Sequence, residues 1–537
     1  MKKLLIVAIF VLGLTLRLIS LSNHPEGFTP DEASFGYDAY SLLTTGHDQW
    51  GKPWPLTFKS FGDYKLPLYT YLVLPSVKIF GLNEFAVRLP NALIGSFAVI
   101  ATYLLVLEWF KDKKLALASA FLIAISPWHI PMSRGAFEAN ITTFLMPLGI
   151  FLFLKGKKNK VFYIFSALAF GLNIFSYHSA RIITPFIVLY LLTSNFKSIK
   201  NSIKEHLLFI LPFAVICLIA LFTMFLGGAS RVATSAIFSP TGGWGGILES
   251  RYLAVLYGVP DIIARMFNNK IVYLARTFIS NYISYFSPQF LFSQGPSEGT
   301  YGMIPGMGVM YLMEIVFLIS FLIGVVKKDI KNIGLFIFWI LIAPIPAAMT
   351  KGSGFAANRA EVMIPALQII SAIGFLYLVK KVDSKVTRIV FAFLFVLSIL
   401  FFIETYFVKQ PIYQSDSMLF GTKQVFGYIK DNPGKKVIIS RKLSEPQIYT
   451  AFYTKVDPTI YQKASINWQF EKQGLAWVDQ MGEYKLDNFT FKSINNDDLL
   501  NENVIIVGQP AEFDSSLEAT KTVYFPNGKP AYLIFVK

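Results

Sequence analysis

The segment FTPDEASFGYDAY, Phe28–Tyr40, places two adjacent carboxylates, Asp31 and Glu32, directly after a proline and a few residues beyond a long apolar run. A carboxylate at a membrane–water boundary can take the proton of a reacting hydroxyl. It can also satisfy the free amides at the start of a helix. Thr29 suits an N-cap, Pro30 suits the first helical position, and Glu32 stands three residues after Thr29, the spacing of a capping box. Asp31, Phe35, Asp38 and Leu42 recur near one helical face, and Gly46 suits the helix stop. A further acid, Glu138, lies in SPWHIPMSRGAFEAN, Ser126–Asn140. Cations stand at comparable boundaries: Lys65, Arg134, His178 and Arg181 within YHSAR, and Arg359 within GFAANRAEVMIPAL. Each is either a functional charge or a side chain snorkelling towards headgroups. His24, His47, His129 and His178 show no metal-ligand spacing.

These residues need elements to hold them, and the composition says which kind. Of 537 residues, 54% are hydrophobic and only 15% charged, against about 25% in soluble chains. Mean hydropathy is +0.50. This is the composition of a polytopic α-helical membrane protein. The net charge is +16, but the basic residues sit in short blocks between apolar runs, not on a soluble basic face, so nucleic acid is not an expected partner. A single cysteine, Cys217, excludes an intrachain disulfide and a cysteine-based zinc site. The opening MKKLLIVAIFVLGLTLRLISLS is long, carries Arg17 and lacks a small-x-small cleavage site, so it reads as a retained first helix.

About eleven apolar runs are long enough to be spans: Leu4–Leu21, Leu89–Trp109, Leu115–Ile130, Ile141–Leu154, Val161–Tyr177, Arg181–Leu192, Leu207–Leu226, Met310–Val326, Ile333–Met349, Glu361–Val379 and Ile389–Val408. The blocks at 111–114, 155–160, 196–204, 327–331 and 380–388, with Lys2 and Lys3, then fall on one side, which the positive-inside rule makes cytoplasmic. The outer side receives 22–88, about 227–309, and the tail 409–537. The stretch Tyr64–Gly81, interrupted by Pro67 and Pro75, is expected to lie in the outer interface, because another span would invert every later loop. The tail is more polar and has β-type runs at 436–440, 503–508, 521–525 and 531–537. PNGKP reads as the last hairpin turn, and helices are expected at 420–430 and 445–453. The expected organisation is a membrane domain, 1–408, and a small extracytoplasmic α/β domain, 409–537, with a supporting or docking role.

DEASFG resembles the Asp-Glu-x-x-Phe-Gly motif of the dolichyl-phosphate-mannose protein mannosyltransferases. YKLPLYTYLVLPSVKIFGLNEFAVRLPNALIG resembles the first outer loop and second span of bacterial lipid A aminoarabinose transferases, departing by one residue at Lys65-Leu66-Pro67-Leu68. Both families share the GT-C glycosyltransferase fold, and the resemblance is strongest over the first 140 residues. It implies transfer of a sugar from a polyprenyl-phosphate donor to a protein, glycan or lipid acceptor at the outer face of the cell membrane, by inversion. It assigns the base to Asp31, with Glu32 as its positioning partner or an acceptor contact. Glu138 and Asp38 become candidates for acceptor or sugar binding. Lys65, Arg134, His178, Arg181 and Arg359 become candidates for the donor phosphate, Arg being favoured by its bidentate fork. Arg88, which resembles the family Arg-Leu-Pro, is expected to cap the loop or pair with one of its acids. The aromatic loop Asn281–Ile315 is expected to fold over the site or to form an ordinary interfacial belt. No cofactor is demanded, since basic side chains can hold one phosphate; a divalent ion on Asp31 or Glu138 is the alternative. A transporter or flippase for a polyprenyl-linked glycan, or a non-catalytic binding factor, are the rival classes; a transporter would place its acids in the bilayer middle.

Overall fold

The computed structural model describes residues 2–225, 235–239, 244–296, 298–352, 354–382, 384–475 and 477–537. Parts of the expected outer loop 227–309 therefore lie outside the described residues. Each of the eleven apolar runs contains a helix. Among the described residues, four helices are long and apolar enough to cross a membrane by themselves: Glu84–Phe110, Glu138–Gly156, Ile203–Thr223 and Lys385–Gln414. A fifth is the pair Ala357–Met363 and Ala366–Lys381, bent by 52° at Pro365. The remaining apolar helices are shorter, Leu4–Leu18, Val161–Ile174 and Glu314–Val326 among them. Pro67 and Gly81 bound Leu68–Phe80, and Pro344 stands at the break between Gly334–Ile342 and Ile345–Ala348.

Several of the basic turns are joined by ion pairs and hydrogen bonds. Glu108 binds Lys111 at 2.6 Å and Lys155 at 2.8 Å, and Lys160 binds Glu205 at 2.5 Å. Trp109 donates to the Asn332 carbonyl, and Asp329 accepts from Tyr377. Acids at or near the turns, Glu108, Glu205 and Asp329, thus hold basic or hydroxyl groups of neighbouring segments.

Helix α1 (Lys2–Leu18) leads through a turn into α2 (Pro30–Thr45). The helix begins as the residues dictate. Thr29 Oγ1 accepts from the Glu32 amide, the Glu32 carboxylate accepts from the Thr29 amide, and Pro30 occupies the first turn. Gly46 ends it with φ 73°, donating back to Leu42. Next come a two-stranded ribbon, β1 (Phe58–Lys59) and β2 (Tyr64–Lys65), and α3 (Leu68–Phe80), the interrupted segment containing Pro75. Then come α4 (Glu84–Phe110) and α5 (Lys113–Ala124). Arg17, fully buried, ties α1 to α5 by donating to the Ile123 and Ala124 carbonyls, with His129 Nδ1 at 2.7 Å.

The tail forms a six-stranded mixed sheet in the order β4-β5-β3-β6-β8-β7. The strands β3 (Lys436–Ser440), β6 (Val504–Gly508), β7 (Lys521–Tyr524) and β8 (Pro530–Val536) stand where the β-type runs are, as do helices Thr422–Asp431 and Pro446–Thr454. Two short strands, β4 (Glu483–Leu486) and β5 (Phe489–Lys492), and the helix Pro458–Asn467 add to the expected set. The β4–β5 hairpin turns on Asp487, at φ 55°, and Asn488, residues suited to such turns.

The tail does not stand off from the bundle. One hydrophobic core runs from Phe28, Phe35 and Tyr69 through Val87 and Leu145 to Phe452, Tyr461 and Ile505. The Tyr449 hydroxyl donates to the Phe28 carbonyl, the Tyr37 hydroxyl to the Val456 carbonyl, and the Phe28 amide to the Met418 carbonyl. A Cβ on Gly36 would lie 2.6 Å from Val87 and 2.7 Å from Phe452, so a glycine is needed where α2, α4 and the tail meet.

Candidate active site

Glu32 and Asp31 are neighbours in sequence with opposite environments. Glu32 is fully buried. Arg88 Nε lies 2.8 Å from its Oε1 and Nη2 lies 3.3 Å from its Oε2, a fork-to-fork pair. The same carboxylate accepts from the amides of Thr29 and Ala136. Arg88 spends its other donors on the Leu21, Pro25 and Gly27 carbonyls. Glu32 therefore ties together the start of α2, the start of α4 and the turn that carries Glu138.

Asp31 is about half exposed and points into a cavity of about 610 Å³. Behind it stands Lys65, 3% exposed, whose ammonium pairs with Asp31 and lies 4.4 Å over the Phe35 ring. Glu138, in the Glu138–Asn140 turn, lines the same cavity. So do Thr300 and Tyr301 of the aromatic loop, with the Tyr301 ring 5.1 Å from that of Phe137. The far wall comes from the tail: Ser444, Glu445, Trp477, Asp479 and Gln480. The sequence singled out none of these tail residues. Their one local signal is Ser444-Glu445-Pro446, an acid before a helix-starting proline, and Glu445 takes a left-handed backbone, φ 51°. Burial pushes the Glu445 carboxyl up to about 8, with Asp479 and Asp31 adding to the shift and a Gln447 hydrogen bond opposing it.

A second, smaller pocket of about 120 Å³ is lined by His178, Ser179, Phe238, Met349 and Arg359 among others. Arg359 donates to Thr350 Oγ1 at 2.8 Å, and its backbone carbonyl accepts from Ser179. The dipeptide Tyr64-Lys65 connects the two sites. Lys65 pairs with Asp31, and the Tyr64 carbonyl lies 3.4 Å from His178 Nε2. The Glu138–Asn140 turn packs against both Ala357–Ala360 and Glu361–Met363, beside Arg359.

Three expected contacts are placed elsewhere. Asp38 is buried away from the cavity, accepting from the Gln49 amide and side chain; burial and Asp48 raise its carboxyl well above the usual range. Arg134 is fully buried and donates to the Leu16, Ile19 and His24 carbonyls, because the end of α1 leaves carbonyls that only a long cation reaches. Arg181 reaches the Ile174 carbonyl and Thr223 Oγ1. Among the described residues, no group of three or more His, Cys, Asp or Glu is placed to hold a metal ion.

Residues 65–225 match the sequence model of the dolichyl-phosphate-mannose-protein mannosyltransferase family. A protein of Aquifex aeolicus (strain VF5) without an assigned role is 30% identical over 155 residues, 28% of this chain and 29% of that one. YkcB of Bacillus subtilis (strain 168), named as a candidate mannosyltransferase, is 29% identical over 142 residues, 26% of this chain and 20% of that one. The chain thus spans less than a third of the length of these curated relatives. ArnT of Cupriavidus metallidurans, solved with undecaprenyl phosphate, superposes with a TM-score of 0.53 at 11% identity, covering 98% of this chain and 97% of that one. The apo oligosaccharyltransferase of Archaeoglobus fulgidus gives a TM-score of 0.48 at 14% identity, over 85% of this chain and 64% of that one. The ArnT overlay takes in bundle and tail alike.

Proposed function

We propose that this chain, a multi-pass membrane protein of GT-C fold that resembles the dolichyl-phosphate-mannose protein mannosyltransferases and the lipid A aminoarabinose transferases, moves a sugar from a polyprenyl-phosphate donor to an acceptor at the outer face of the membrane. One observation carries the reading: Asp31 stands half exposed in a cavity between bundle and tail, braced by the buried Lys65 and accompanied by Glu138. In this reading Asp31 takes the proton of the acceptor hydroxyl as its oxygen attacks C1. The bond from C1 to the phosphate oxygen breaks, and polyprenyl phosphate leaves with the electron pair, so the anomeric centre inverts. The leaving group is stable as an anion and needs no acid. Arg359 and His178, in the pocket joined to the cavity through Tyr64-Lys65, hold the phosphate. Lys65, paired with Asp31, orients the base. The basic turns face the cytoplasm, and the tail lies outside. The undecaprenyl phosphate of the ArnT structure supports a polyprenyl donor.

The test is turnover of the purified chain on a panel of polyprenyl-phosphate sugars, read as free polyprenyl phosphate. Asp31→Asn is expected to lower turnover by about 10²–10⁴-fold, the usual range for a lost general base, with folded protein retained. Near-normal turnover by this variant refutes the base assignment.

A further inference from the structure

The cavity around Asp31 has a charge pattern that bears on what enters it. Asp31 and Glu138 from the bundle and Glu445 and Asp479 from the tail all line it. Among the described residues, no lysine or arginine does. Phosphate or sulfate on an incoming molecule would meet the acids Glu138, Asp479 and Asp31, the last held by Lys65 from behind, beside a Glu445 carboxyl that burial keeps protonated near neutral pH, and no lysine or arginine in the lining. A lining of acids without a lysine or arginine favours a neutral acceptor group over an anionic one.

The pattern also leaves one buried carboxyl oxygen open to a hydrogen-bonding group. Glu445 is 2% exposed. Its Oε2 accepts from the Gln447 amide, and Gln447 is itself held by the Tyr484 hydroxyl. Its Oε1 has no hydrogen-bond partner within the protein. A buried carboxyl oxygen without a partner is costly, and in the wall of a cavity the partner it lacks can come from a bound molecule. The remaining lining suits a polyol. Trp477, Tyr301, Phe61 and Phe137 add aromatic surface to the lining, and Thr300 and Ser444 add hydroxyl-bearing side chains. At about 610 Å³ the cavity lies within the roughly 300–1,000 Å³ typical of small-ligand sites.

We infer that this cavity is the subsite for an uncharged carbohydrate acceptor and that Glu445, a tail residue, is a contact for one of its hydroxyls. The inference rests on the reading of Asp31 as the base and narrows it: the acceptor is a neutral sugar hydroxyl, not a lipid phosphate. The tail is then part of the binding site, and the acceptor is gripped between the two ends of the chain.

The experiment measures binding calorimetrically to the full-length protein in a sugar-free detergent, with no donor present. The probes are methyl α-mannoside, methyl β-glucoside and maltotriose, against mannose 6-phosphate and glucosamine. Saturable binding of at least one neutral probe is expected, with mannose 6-phosphate at least about tenfold weaker. Glu445→Gln should weaken the neutral probe by about tenfold, as losing one hydrogen bond to a charged or polarised partner does. Trp477→Ala, a change to a ring that is 42% exposed, should weaken it comparably without a folding defect. Because binding is read without donor, loss of neutral-sugar affinity in the Glu445 and Trp477 variants is distinguishable from the loss of turnover that tests Asp31 as the base. The inference is overturned by mannose 6-phosphate binding as tightly as the neutral sugars, by glucosamine alone binding, by saturation with none of the neutral probes, or by wild-type affinity in both Glu445→Gln and Trp477→Ala.

Discussion

If Glu32 is a structural clamp and Asp31 the reactive acid, then removing the Glu32 charge must cost stability before it costs chemistry. The structure sets the size of the effect. Both members of the Glu32–Arg88 pair are 0% exposed, and two contacts of 2.8 Å and 3.3 Å join them. Glu32→Gln keeps the shape but leaves the Arg88 guanidinium buried without its counter-charge, which typically costs about 3–5 kcal/mol. It also puts an NH2 where one of the two oxygens was, so either the Thr29 or the Ala136 amide loses its acceptor. Arg88→Met strands the carboxylate instead and should cost a similar amount. The double variant Glu32→Gln/Arg88→Met removes both charges, so its cost should fall short of the sum of the singles by about 2 kcal/mol or more. The assay is a thermal midpoint for all four proteins in one detergent, alongside kcat and KM for polyprenyl-phosphate sugar. The midpoints of both singles should fall by several degrees, and the activity of the surviving folded fraction should fall less steeply than in Asp31→Asn. A Glu32→Gln protein that unfolds within about 1 °C of the parent yet has lost turnover at least a hundredfold would refute the clamp and make Glu32 a reacting group.

Three further outcomes follow from the same geometry. The Glu445 carboxyl titrates at about 8 in the folded chain, above its usual 4.5, because of burial first and the nearby Asp479 and Asp31 next. Between those values the unfolded chain has lost the proton and the folded chain keeps it, so stability falls as pH rises from about 4.5 to 8 and then levels off. Glu445→Gln should remove roughly 3 kcal/mol of the fall between pH 5.5 and 8.5 as an upper bound, measured as thermal midpoints at those two pH values. Gly36→Ala puts a methyl against Val87 and Phe452 at under 3 Å and should cost about 1–3 kcal/mol, read as a lower thermal midpoint. Arg359→Gln should raise KM for the donor about tenfold or more and leave KM for the acceptor unchanged, since Arg359 lines the smaller pocket and not the acidic cavity.

What could be read from the residue order was local. The capping box of Thr29, Pro30 and Glu32 and the glycine stop at Gly46 are decided within a few residues, and they stand as read. The strands at 436–440 and 504–508 are buried runs of β-branched residues, which few other elements accommodate. The β4–β5 hairpin was missed because four-residue strands carry too little periodicity beside charged neighbours. What could not be read was long-range. Nothing in YKLP says that Lys65 turns towards Asp31, or in SRGAF that Arg134 is consumed by the carbonyls ending α1. Glu445 and Asp479 lie more than 400 residues from Asp31, and only the shared core brings them to it. The cations were legible as candidates because a boundary charge is unusual. Which of them face a ligand depends on carbonyls that any residue can supply.

The core shared by Phe28–Tyr69 and the tail sets the unit by which such a protein can be rebuilt. A boundary drawn at residue 408 follows composition, but it cuts through packed side chains at Phe28, Gly36 and Phe452. Removing 409–537 would strip one wall from the cavity and uncover that interface at the same moment, so loss of activity in a truncated chain would not distinguish a recognition module from a scaffold. Exchanging specificity between relatives calls for a discontinuous graft, with the outer segment 22–88 and the tail travelling together and the bundle kept as recipient. Evolution faces the same coupling: a change on the packed face of the tail must be answered in α2 and α4.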